Sequence, residues 1–105
     1  MNKIKIYFFS NKAFISPPWA TPFPEDEADN YMNHDIEIDL RCQKAILRTD
    51  YMSSCTAGEM RALQKMLEYA ADICFAELTF NQVKDNPSLV RSSFPDADVY
   101  IVEES

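Results

Sequence analysis

One glycine and one histidine are all that this 105-residue chain holds of two residue types on which much cofactor and enzyme chemistry depends. Loops that cradle phosphate need several glycines so that backbone amides can approach the anion, and Gly58 is the only one present. P-loop and dinucleotide-binding functions are therefore excluded. His34 is the single imidazole, and with Cys42, Cys55 and Cys74 separated by 12 and 18 residues no zinc-ligand spacing exists. A Cys–His nucleophile pair would have to use His34, and none of the three cysteines carries a family signature for it. No residue set is assigned to catalysis, to a cofactor or to a metal.

The chain also lacks a C-x-x-C pair, a long apolar run and a leader-like start. Met1 to Ser10 interleaves charge with apolar residues, so no signal peptide is expected, and no stretch approaches the roughly 20 residues that span a bilayer. An odd cysteine count without a secretion signal predicts free thiols and a cytoplasmic, reducing home.

Basic residues are scarce. Seventeen acids against ten bases give a net charge of −7, which repels phosphate backbones and argues against direct nucleic-acid binding. Seven of the acids, Glu25, Asp26, Glu27, Asp29, Asp35, Glu37 and Asp39, fall between residues 25 and 39, where no Lys or Arg occurs.

What is present suits a globular chain, with 47% hydrophobic residues and a length that supports one core, so residues 1–105 are expected to form a single α+β domain. Lys3 to Phe9 alternates with Ile4, Ile6 and Phe8 on one face, the period of a half-buried strand. From Asn11 to Asn33 no period is sustained, and Pro17, Pro18, Pro22 and Pro24 remove backbone donors. A long loop is predicted there. Its aromatic residues, Phe14, Trp19, Phe23 and Tyr31, suit either a lid on the core or an anchor for a partner.

Asp35 to Leu40 alternates again, acids out and Ile36, Ile38 and Leu40 in, and Lys44 to Thr49 reads as a strand paired back on it through a turn at residues 41 to 43, while Arg41 to Tyr51 also suits a short helix because the turn has no Asn-Gly or Gly. Thr56-Ala57-Gly58-Glu59 matches a capping box and opens a helix over 57–78, with Met60, Leu63, Leu67, Ala70, Cys74 and Leu78 as its apolar stripe. Asn86-Pro87 is a cap followed by proline at the first helical position, which predicts a short turn from Ser88 to Ser93. Val99 to Val102, apolar on both faces, reads as a central strand. The expected fold is thus a mainly antiparallel sheet of about four strands, covered on one face by one long helix, in the order β, long loop, β, β, α, β.

Function is expected to lie in binding. The candidate partner-binding residues are Trp19, Phe23, Glu25, Asp26, Glu27, Asp29, Asp35, Glu37 and Asp39, an acidic ridge beside an aromatic anchor. The plain alternative is a solvated face neutralised by Lys3 and Lys5 on a neighbouring strand. A calcium site is disfavoured because Ile36 and Ile38 interrupt the carboxylates and no glycine bends the chain. A small cytoplasmic inhibitor or adaptor that presents carboxylates to a basic protein surface, one that otherwise holds nucleic acid, fits this charge. Anti-CRISPR, antirestriction and toxin-immunity proteins are analogous in size and charge only. Two other classes suit the composition: a small enzyme or ligand-binding domain with its site under the 11–33 loop, and a structural subunit of a larger assembly. No membrane partner is expected, and a homodimer is compatible with the composition.

Overall fold

The computed structural model describes residues 3–18, 36–47 and 57–102. Within them the chain forms strands β1 (Ile4–Phe8), β2 (Lys12–Ser16), β3 (Ile36–Asp39) and β4 (Lys44–Leu47), then helices α1 (Ala57–Phe75), α2 (Phe80–Asp85) and α3 (Pro87–Ser93), and finally strand β5 (Ala97–Ile101). The strands make one sheet in the order β4-β3-β2-β1-β5. All neighbours are antiparallel except β1 and β5, which run parallel, so the three helices carry the chain from one edge of the sheet to the other. The α+β architecture with a long helix on the sheet is as the sequence predicts.

The sheet has one strand more than expected. Residues 12 to 16 lie in the predicted loop but form β2, with Ala13 and Ile15 turned to the core beside Ile6 and Ile38. Pro17 and Pro18 end this strand rather than forbid it, because proline is tolerated where the ladder stops. Phe9 N–H donates to Lys12 O at 2.7 Å and closes a tight hairpin through Ser10 and Asn11.

Strands β3 and β4 meet through residues 40 to 43 without an Asn-Gly turn. Gln43 takes the left-handed conformation at φ 55°. Its side-chain amide holds the turn by donating to Leu40 O at 2.6 Å and to Leu78 O at 3.1 Å, which ties the turn to the chain beyond α1.

Helix α1 buries Leu63, Met66, Tyr69, Ala70 and Ile73 against the sheet. This stripe is rotated from the predicted one: Leu67 is 44% exposed and Met60 is exposed too. Apolar residues at spacings of three and four fit two adjacent stripes, and Tyr69, whose hydroxyl accepts from Asp96 N–H at 3.2 Å, belongs to the one that packs. Tyr69 also meets Phe94 edge-on, with ring centroids 5.1 Å apart. Lys65 ties α1 to the turn before β5 through Asp96 at 3.6 Å. The predicted cap Thr56 lies outside the described residues.

The helix stops at Phe75, three residues before the predicted end. Leu78 N–H donates to Ile73 O and Glu77 N–H to Cys74 O, the double bond of a Schellman turn. The left-handed position that glycine normally fills is occupied by Glu77 at φ 53°. Thr79 and Gln82 then cap α2 reciprocally, Thr79 N–H donating to Gln82 Oε1 at 2.8 Å and Gln82 N–H to Thr79 Oγ at 3.3 Å. α3 begins with Pro87 at its first turn, as predicted.

β5 is an edge strand and not a central one. Ala97 and Val99 turn inward while Asp98 and Tyr100 are exposed, so the run Val99 to Val102 is apolar in composition without being buried on both faces. No helix among the described residues is long and apolar enough to cross a membrane.

Candidate partner-binding groove

Of the acidic ridge predicted over residues 25–39 only Glu37 and Asp39 are described; Glu37 is not solvent-facing and Asp39 is partly exposed. Glu37 sits on the sheet face away from α1, in the row Tyr7–Phe14–Glu37–Ile46, yet is only 5% exposed. Its carboxylate pairs with Lys12 at 3.6 Å. Asp39 accepts from Arg41 N–H at 2.9 Å and from Arg41 Nε at 3.3 Å. These bonds to the guanidinium and the backbone of Arg41 hold the Asp39 carboxyl below its ordinary range. Lys12 and Arg41 thus contribute to neutralising these two acids. Lys5 Nζ donates to Pro18 O at 3.2 Å. Trp19, Phe23, Glu25, Asp26, Glu27, Asp29, His34, Asp35 and Cys55 lie outside the described residues, so the structure brings together only Glu37 and Asp39 of the predicted set.

The exposed apolar surface is elsewhere. Phe75, the last residue of α1, is 95% exposed, and Leu89 on α3 is 67% exposed. Between them runs a groove of about 390 Å³, floored by Leu78, Val90 and the buried Phe94. Its position follows from the turn at Glu77. Had α1 continued to residue 78, Phe75 would lie mid-helix; because the chain folds back, the end of α1 stands beside α3.

The electrostatics of this end are one-sided. Asp72 is the only charged residue lining the groove, and Glu77 lies in the adjoining turn. No base occupies the last turn of α1, where the helix dipole favours cations and disfavours carboxylates. No cation pairs with Asp72 or Glu77 among the described residues. The groove is thus apolar in its floor and negative at its α1 end.

Of the thiols, Cys42 is exposed on the β3–β4 turn and Cys74 is partly buried near the end of α1, both free. Burial, with a smaller contribution from the Cys42 charge, pushes the Cys74 thiol up and lowers its thiolate fraction near neutral pH. Among the described residues no group of three or more His, Cys, Asp or Glu side chains is placed to hold a metal ion.

The groove could not be read from periodicity, because it depends on where α1 stops. One signal was available: Thr79-Phe80-Asn81-Gln82 is a capping box, and a helix starting there obliges the preceding one to end before it. Compared with protein-family models, curated proteins and solved structures, the chain finds no match.

Proposed function

We propose that this chain is a small acidic protein-binding module, an inhibitor or adaptor, that receives an apolar anchor of a basic partner in the groove between α1 and α3. The observation that carries the reading is Phe75, 95% exposed at the lip of an apolar groove whose one charged lining residue is Asp72. Leaving a phenylalanine in water forgoes about 1.5–3 kcal/mol that burial would supply. A partner that covers Phe75 and Leu89 recovers it. Flanking Lys or Arg on that partner would meet Asp72 and Glu77, and the net charge of −7 would steer the encounter. A protein surface that otherwise holds nucleic acid has this combination of basic side chains and apolar contacts.

The test is affinity capture from the native host with the unsubstituted chain and with Phe75→Asp side by side, followed by binding kinetics on the captured protein. The expected result is a partner retained by the first and lost by the second, with association slowing as salt is raised. A partner that binds both alike, or whose association is indifferent to salt, would contradict the proposal.

A further inference from the structure

Cys42 and Cys74 are distant in sequence, and the fold joins the two turns beside which they sit. Gln43, the neighbour of Cys42, donates from its side chain to Leu78 O at 3.1 Å. Leu78 N–H in turn donates at 3.3 Å to the carbonyl of Ile73, the neighbour of Cys74, and Cys74 O accepts from Glu77 N–H at 3.2 Å. The β3–β4 turn is thus bonded to the turn that ends α1, with a cysteine one residue from the junction on either side. Helix α1 also packs on both β3 and β4, which keeps its end against that hairpin.

The two thiols differ in the way that an exchange reaction needs. Cys42 is exposed, beside the Asp39 carboxylate and the Arg41 guanidinium. It lies beyond the last pair of the β3–β4 ladder, Asp39 beside Lys44, so it can shift without breaking the sheet. Cys74 is partly buried and packs on the core. Besides burial, the charge of Cys42 acts on the Cys74 thiol, as it does only between near neighbours.

We propose that Cys42 and Cys74 are a reversible redox pair, which closes into a disulfide between the β3–β4 turn and the end of α1. Both thiols are free in the resting chain. Disulfides made in a reducing compartment are transient and sensing ones, so a pair held apart as thiols until an oxidant arrives fits that setting. The oxidant is a low-molecular-weight disulfide of the glutathione class. Cys42, the accessible thiol, loses its proton and attacks one sulfur of that disulfide, which forms a mixed disulfide and releases the first small thiolate. Cys74, deprotonated in its turn, attacks the Cys42 sulfur; the protein S–S bond forms, the mixed S–S bond breaks and the second small thiolate leaves. The two protons end on the two small thiols, and two electrons have passed from the protein sulfurs to the external disulfide. Cys74, with its lowered thiolate fraction, makes the second attack the slower one. The bridge fixes the backbone that carries Phe75, the residue after Cys74.

The unsubstituted chain, incubated folded with oxidised glutathione, should lose two hydrogens in mass, and peptide mapping should find Cys42 joined to Cys74. Cys55 is the internal rival. Both of its pairings close shorter loops, which an unfolded chain favours. The Cys42–Cys74 link should therefore be the main product from the folded chain and a minor one in urea. Cys55→Ser, folded, should still form the bridge. Closing a loop of this length should raise the thermal midpoint of the oxidised chain by about 10 °C, and dithiothreitol should reverse the rise. A folded Cys55→Ser chain that keeps free thiols or stops at the mixed disulfide would overturn the inference. So would a link to Cys55 as the main folded product, or an oxidised chain that melts no higher than the reduced one. These readouts need no partner protein, so their failure leaves the α1–α3 groove proposal standing, and the reverse holds as well.

Discussion

Strand β3 and the last turn of α1 both carry acids, and the fold treats them in opposite ways. In β3, Glu37 is buried and paired with Lys12, and Asp39 is tied to Arg41 two residues on. At the end of α1, Asp72 and Glu77 stand without a cation among the described residues, where the helix dipole is already negative and where Phe75 is left in water. Charge density along a sequence therefore does not locate charge that a partner can feel. What matters is whether the fold brings a base to an acid, and it does so for Glu37 and Asp39, the two described acids of the stretch that looks most acidic.

The largest effect expected from this difference is on stability. Glu37→Lys sets a cation at a site only 5% exposed and beside the half-exposed Lys12, and a buried charge without a partner costs about 3–5 kcal/mol. Asp39→Lys, at a site whose partner Arg41 is well exposed, should shift the urea midpoint only slightly. Equal shifts from the two would place Glu37 on the surface after all. Next in size is the helix face. Met66→Ala should cost about 2–5 kcal/mol, as truncation of a fully buried side chain does, and Leu67→Ala well under half of that. Denaturation that ranked them the other way would restore the stripe predicted from spacing.

A smaller effect, of opposite sign, is expected at the turn that makes the groove. Glu77 holds a left-handed backbone that favours glycine and places a carboxylate at a helix C-terminus. Glu77→Gly should therefore stabilise by about 1 kcal/mol, seen as a rise of about 5 °C in the thermal midpoint. A fall would show that α1 does not end there.

These cases mark how far residues alone could be read. β1 and β3 were legible because alternation over four or five residues has one structural solution when one face is apolar, whereas Lys44–Leu47 does not alternate and suited a short helix as well as a strand. β2 was hidden because Pro17 and Pro18, which close it, make the whole segment look broken. The burial of Glu37 was hidden for a different reason: a period of two says which residues share a face, and not whether that second face is covered. The groove was hardest, since it rests on a Schellman turn whose usual glycine is missing and on Leu78 pairing back to Ile73.

On the proposed function, a partner docks in the α1–α3 groove and not on the acidic strand. The most direct test is the dissociation constant of one captured partner for Phe75→Asp and for Asp39→Lys, each checked as folded by its thermal midpoint. The groove predicts that Phe75→Asp loses about 30-fold or more in affinity, the scale of an interface hot spot, while Asp39→Lys changes it by a few-fold at most. Full affinity in Phe75→Asp together with a large loss in Asp39→Lys would contradict the claim and return the binding surface to β3.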